Sequence, residues 1–464
     1  MRPNHTSQAP DFRLAETQQL FACIRAGESA SVVGVSGAGK SNLFNHLCDT
    51  QTQAAYLGED AARMIIVRVN FHYAPDLTDR TIYSLILEQL ELLDGDGARW
   101  GLTPEVFTAV GEQHERLLAA GSDSLQVQRH FKLALRPFLS PPAQRHLILL
   151  LDQFDDVCRE AEPRIFMNLR GLREAYKNRL SYVTFTRDLL PDLADMDLAR
   201  EEFYELLALN VIGLRPYTPT DAHSLLQRIA DRYGLPVDEA TAKRLIRLSG
   251  GHAGLLRAAY LAVARRETRL PDDDETAVPA LLQTAGVFME CEKLWRGLSR
   301  QERKLLAAYA HGLPVDTASE AAKRPLQIKG ILTADDPPAI FAPLFARYAR
   351  NQEAEWERPF YLDEAARQVW VMNKRQATLS AIEFRLLQAL YHRPGEILSN
   401  NDLISAGWPH VQEGVSDVAL HARISGLRKK IEADPQNPRF LENLHGHGYK
   451  LNLESSRPIS GTNE

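Results

Sequence analysis

From residue 10 to about 215 the chain alternates short, almost wholly apolar runs with longer stretches of helical period. Ser31–Val35, Met64–Val69, His146–Leu151, Leu180–Thr184 and Ala208–Leu214 read as strands. Apolar strands that alternate with helices predict a parallel sheet covered on both faces. Residues 216 to about 350 read mainly as helices, broken by turns such as Tyr233-Gly234-Leu235-Pro236. From about 356 the pattern changes: Phe360–Leu362 and Val369–Val371 suggest short strands followed by compact helices. The polar stretch Ala349–Arg358 is the best linker, and the tail from Ser455 is expected to fray. The expected division is 10–215, 216–290, 291–350 and 356–454, with no internal repeat.

Length supports this division, since 464 residues correspond to about three domains. With 44% hydrophobic and 25% charged residues, a disordered, collagenous or mini-protein chain is excluded. The longest strongly apolar run, Leu147–Leu151, is far short of the ~18 residues a membrane helix needs. Met1-Arg2-Pro3-Asn4-His5 leads into no apolar signal core. A cytoplasmic protein without a membrane partner is expected. No pair among the four cysteines has zinc or redox-motif spacing, so they read as reduced and mostly buried. A net charge of −6 argues against a general nucleic-acid coat, so any nucleic-acid binding must come from a local surface.

Candidate chemistry is concentrated after the first strand. Gly34-Val35-Ser36-Gly37-Ala38-Gly39-Lys40-Ser41 fits G-x-x-x-x-G-K-[ST] in full, between a buried-type strand and a helix that opens at Asn42. Gly34, Gly37 and Gly39 let backbone N–H groups close around phosphate oxygens, and the helix N-terminus adds a positive end. In such a loop the lysine (Lys40) reaches the β- and γ-phosphates and the hydroxyl (Ser41) ligates Mg²⁺. The run His146–Leu151 ends in Asp152, the carboxylate expected to hold Mg²⁺ through water. The strand Tyr182–Thr186 ends at Arg187, placed to sense a γ-phosphate. Lys40, Asp152, Asp155 and Arg187 are the candidate catalytic residues. Gly34, Gly37, Gly39, Lys40, Ser41 and Asn42 are the candidate ATP-binding residues.

These elements, with Gly213-Leu214-Arg215-Pro216, occur in one order and resemble the STAND class of signalling ATPases, relatives of the AAA+ and origin-recognition ATPases. Ser249-Gly250-Gly251-His252-Ala253-Gly254 resembles the Gly-Gly-His-Pro segment of that family's helical lid, with Ala253 in place of Pro. The resemblance implies that His252 approaches the phosphates from the lid, with Arg257 a second candidate. It also implies a small winged helix over 291–346. There Ser299 and Glu302 form a capping box, and Gly330–Leu332 and Phe341–Phe345 read as wing strands. AAA+ relatives place Glu after the strand-end Asp; this chain has Gln153. An amide orients water but does not take its proton, so hydrolysis is expected to be slow unless Asp155 or Asp156 substitutes.

Residues 358–453 carry a second resemblance. Ser380 and Glu383 form a capping-box pair, and Leu420, Ile424, Leu427 and Ile431 form one apolar stripe along 417–432. With the glycine-rich turn Gly446-His447-Gly448, this resembles the winged-helix effector domain of OmpR/PhoB response regulators. The resemblance implies a four-stranded N-terminal sheet, three helices and a hairpin wing, with the 417–432 helix in the major groove of double-stranded DNA. Arg423, Ser425, Arg428, Lys429, Lys430 and His445 are the candidate DNA-binding residues. Gly426 and His445 stand where family members often carry Arg, and 13 basic residues balance 13 acidic ones from Trp356 to Glu464. One copy is expected to bind modestly, so paired copies on adjacent half-sites are expected.

The fold class expected is thus an α/β P-loop NTPase with helical lid and small winged helix, followed by an α+β winged-helix DNA-binding domain. The function expected is an ATP- and Mg²⁺-switched transcriptional regulator with slow or regulated hydrolysis, whose ATP-dependent self-association pairs the C-terminal domains on DNA; an unidentified signalling protein or ligand is a further expected partner. Two alternatives stay open: a defence or stress-response ATPase whose winged helix docks a protein, and an ATPase loader on DNA.

Overall fold

The computed structural model describes residues 8–139, 145–311, 321–352, 360–363, 368–371, 374–376, 379–409, 416–444 and 446–453. The chain divides into two compact units, Met1–Gln352 and Glu353–Glu464.

The first unit is built on five parallel strands: β1 Ala30–Val33, β2 Met64–Asn70, β3 His146–Asp152, β4 Leu180–Thr186 and β5 Val211–Gly213. Their order across the sheet is β2-β3-β4-β1-β5. Every residue of β1, β3 and β4 is buried, because helices cover both faces of the sheet. Parallel strands end at the same edge, so the turns after β1, β3 and β4 meet there, where ligands bind in open α/β sheets. The Gly34 N–H donates to the Thr186 carbonyl at 3.0 Å, joining the end of β1 to the end of β4. This is the P-loop NTPase architecture the sequence predicts.

Helices from Pro219–Tyr233 to Ala285–Arg296 follow the sheet. Each of Thr218, Asp238, His252 and Asp273 caps the helix after it with its side chain. The Ser299–Glu302 capping box forms in both directions, at 2.8 and 3.3 Å. The expected wing strand Phe341–Phe345 does not. Pro343 opens the helix Pro343–Asn351, and a single bridge, Leu332 to Ile340, is the only pairing there among the described residues. Proline has no N–H for a strand ladder but suits the first helical position. The predicted strand Ala208–Leu214 is likewise shorter. Ala208 ends the helix Leu198–Ala208, and only Val211–Gly213 pairs. Of the expected linker, Ala349–Asn351 is helical and 353–358 lie outside the described residues.

The second unit has β6 Phe360–Asp363, β7 Gln368–Val371 and β8 Lys374–Arg375 in one antiparallel sheet. Helices Ala381–Tyr391, Asn400–Gly407 and Asp417–Ile431 follow, with β9 Ile397–Leu398 between the first two. A hairpin of β10 Leu441–Leu444 and β11 Gly448–Leu451 closes the fold, β11 pairing with β9. The N-terminal sheet has three strands among the described residues where four were expected. One core joins Phe360, Leu387, Leu420, Ile424, Leu427 and Tyr449.

Candidate nucleotide cleft and nucleic-acid interface

The phosphate loop is held in a conformation that excludes side chains at two glycines. Gly37 and Gly39 have φ of +75° and +89°. A Cβ on Gly37 would lie 2.7 Å from His252 Cε1, and one on Gly39 2.3 Å from Tyr217 Oη. After Gly39 the helix Lys40–Cys48 begins, and its first N–H groups have no carbonyl of their own helix to bond. Lys40 Nζ donates to the Gly34 carbonyl and, at 3.2 Å, to that of Val35. Burial pushes its pKa down to about 8 against the opposing pull of Asp155 and Asp152.

The ends of β3 and β4 lie together. Asp152 is buried; its Oδ1 accepts the Gln153 N–H at 3.0 Å and its Oδ2 lies 3.6 Å from Arg68 Nη2. Burial raises the Asp152 pKa despite the nearby cation. Gln153 takes a left-handed conformation, φ 58° and ψ 40°. That is uncommon for a non-glycine residue, and such outliers cluster at functional sites. Its Oε1 accepts from Arg187 Nη2 at 3.2 Å. Asp155, expected as a substitute base, is buried and accepts the Arg187 N–H at 2.8 Å. Asp156 pairs with Arg159.

One sequence-predicted site residue lies behind the cleft rather than in it. His252 does not line the cleft. Its Nδ1 accepts the Leu255 N–H at 3.2 Å, capping the helix Ala253–Ala264, so Nε2 carries the proton and donates to the Ser36 carbonyl at 3.0 Å. Burial drives its pKa down to about 4, so it is a neutral strut between lid and loop. A parallel bond, Gly254 N–H to Gly37 carbonyl at 3.1 Å, does the same from the backbone. The Asn42 amide donates to Tyr217 Oη at 2.9 Å. Asn42 lines the cleft together with Lys40, Ser41, Arg187 and Arg257.

Sequence reasoning missed Arg13 and Arg228. Arg13 is fully buried, stacks 4.6 Å from the Tyr217 ring, and donates to the carbonyls of Ala38 and Arg215. It ties the chain ahead of the sheet to the phosphate loop. Arg228 lines the cleft, and its Nη2 is a buried donor with no partner among the described residues. Arg232, Arg257, Arg265 and Lys293 also line the cleft, Arg265 paired with Glu267 and Lys293 with Glu290. The cleft encloses about 1980 Å³, above the roughly 300–1,000 Å³ of ordinary small-ligand pockets. No local pattern marks these arginines; only the topology gathers them.

In the second unit the helix Asp417–Ile431 buries Leu420, Ile424, Leu427 and Ile431. Arg423, Ser425 and Lys429 are exposed, as expected of groups that meet DNA. Arg428 and Lys430 are half-buried and bond to groups of their own fold. Arg428 Nε and Nη2 donate to the Leu441 carbonyl at 3.0 and 2.7 Å, fixing the base of the β10–β11 hairpin. Lys430 Nζ pairs with Glu383 at 2.8 Å. The Glu383 carboxyl is partly buried, yet bonds from Lys430 and Ser380 hold its pKa below the usual range. A Cβ on Gly426 would lie 3.1 Å from Glu383 Oε1, a close contact that a small shift of that carboxylate relieves. His445 lies outside the described residues.

Residues 374–451 match the family model described as transcriptional regulatory protein, C terminal. Over 81 residues the chain is 37% identical to the alkaline phosphatase synthesis transcriptional regulatory protein SphR of Synechococcus elongatus, covering 18% of this chain and 31% of that protein. It is 24% identical over 244 residues to the transcriptional regulatory protein BaeR of Escherichia coli, covering 48% of this chain and 99% of that protein. The chain thus matches about a third of SphR's length. Among solved structures, the Walker-type ATPase paby2304 of Pyrococcus abyssi aligns at 15% identity with a TM-score of 0.47, over 73% of this chain and 95% of that one. Residues 374–451 thus carry a winged-helix domain of the OmpR/PhoB type.

Proposed function

We propose that this chain is a DNA-binding transcriptional regulator of the STAND signalling type, switched by ATP and Mg²⁺. The observation that carries the reading is a complete phosphate loop, with Lys40, Asp152 and Arg187 gathered at one sheet edge, in the same chain as an OmpR/PhoB-type winged helix. The residues present fit the nucleotide: the two positive-φ glycines, with His252 and Tyr217 packed against them, hold the loop in a conformation that side chains would not allow, and Arg228 supplies a buried donor with no partner among the described residues. Lys40, Ser41 and the N–H groups of the first helical turn would hold the phosphates, with Asp152 on the metal side. When bound, the triphosphate supplies a transferable γ-phosphoryl and an anionic bridge between core and lid.

Hydrolysis is slow in this reading. The Gln153 amide is aimed by Arg187 and orients water without accepting its proton. Asp155 is committed to the Arg187 backbone. A slow step suits a switch whose bound state persists and pairs copies on DNA. The test is the mass of the full chain by light scattering, with and without genomic DNA fragments, in ATP, ADP, or as Lys40→Ala. Larger assemblies and retained DNA in ATP alone are expected. Equal mass and equal retention in all three would refute the switch.

A further inference from the structure

The outward face of the helix Asp417–Ile431 is short and apolar in its first half and polar in its second. Opposite its buried stripe run Val418, Ala422, Ser425 and Lys429, at spacings of four, three and four, so they share one face. Val418 is 75% exposed, unusually bare for a β-branched residue in a helix. His421 flanks this face, its ring 6.1 Å from that of Tyr449 in β11. Asp417 is the only acidic side chain of the helix. Arg423 and Lys429 are exposed alongside.

We propose that Val418 and Ala422 read thymine C5-methyl groups in the major groove, so that this domain selects A·T pairs at the two positions they face. The proposal rests on the DNA-binding reading above and deepens it. An α-helix fits the major groove, where only thymine presents a methyl, and short apolar side chains are its complement. The usual readers of guanine, an Arg or Lys aimed at the base edge, are missing from the centre of the face. Arg428 and Lys430 bond to groups of their own fold, and position 426 is glycine. The cations that remain exposed, Arg423 and Lys429, complement a polyanion and position the helix without reading sequence. A helix-docking protein would gain little from this face, because it holds one large apolar side chain between His, Ser and Lys.

The test uses the full chain. Preferred duplexes are selected from random DNA, and each thymine of the winning site is then replaced by deoxyuridine, which removes the methyl and keeps the base pair. Wild type is expected to lose about fourfold in affinity at each of two positions, the equivalent of one buried methyl group. Val418→Ser, a change on an exposed residue, is expected to bind the thymine site more weakly and to lose its response to deoxyuridine at one position. Sequence-selective binding that ignores both the methyl groups and residue 418 overturns the inference while leaving DNA binding intact. It would turn this face toward a protein partner. Absence of any sequence-selective duplex binding overturns the DNA-binding reading itself, and this inference with it.

Discussion

Lys40 must be a cation where burial disfavours one. Its pKa of about 8 lies below the ordinary 10.5, so the unfolded chain holds the proton more tightly. Between those values the lysine's contribution to stability therefore grows as pH rises. Phosphate binding runs the other way, because only the protonated amine meets the anion. Nucleotide affinity is expected to be level up to about pH 8 and then to fall, by up to tenfold per pH unit. Calorimetry should show proton uptake on binding near pH 8.5. Lys40→Ala should bind weakly at every pH. A tight, flat wild-type profile from pH 7 to 9.5 would remove Lys40 from the phosphate contact. His252 obeys the same sign rule at lower pH. Neutral when folded, it costs stability as pH falls from 6.5 toward about 4, so the lid contact weakens in acid.

Elements are joined to the cleft by a buried ion cluster. Asp188, next to Arg187 at the end of β4, pairs with Lys329 Nζ, which also pairs with Glu302 at 2.6 Å. Lys329 and Glu302 are almost completely buried. Nearby, a Cβ on Gly213 would lie 1.8 Å from the Ile328 carbonyl, so the segment Lys323–Ile328 is pressed onto the end of β5. Lys329→Met is expected to destabilise the first unit by about 3–5 kcal/mol in urea unfolding, because it strands two carboxylates. Adding Asp188→Asn and Glu302→Gln should recover most of that loss. A single variant as stable as wild type would show that the cluster carries no stability. Legibility ran out at such links. Strand, phosphate loop and helix lie within some twenty residues and declare themselves by period and motif. Lys329 to Asp188, Arg13 to Arg215 and His252 to Ser36 join residues 141, 202 and 216 positions apart. Composition at either end carries no trace of the partner. The bonds from Arg428 to Leu441 and from Lys430 to Glu383 were equally invisible, since a basic run on a helix reads alike whether it faces phosphate or a group of its own fold.

At the scale of the whole molecule, the charge balance sets how DNA is held. Basic and acidic residues are equal in number from Trp356 onward, and Arg428 and Lys430 bond to groups of their own fold. One winged helix therefore neutralises few phosphates. With two to four contacts, the slope of log K against log salt should be roughly −2 to −4. Such a domain needs a second copy to hold a site at physiological salt, and linking two modules multiplies affinity without any new contact. If ATP pairs the chains, the same duplex measured from 50 to 200 mM salt should show about twice that slope in ATP and the single-copy slope in ADP. Lys40→Ala should keep the single-copy slope in both. Cutting the site to one half should return the ATP form to the lower value, because the second set of phosphates is no longer there to contact. An identical slope in every nucleotide state, on full and half sites alike, would mean that each winged helix meets DNA alone and that the cleft governs some other output.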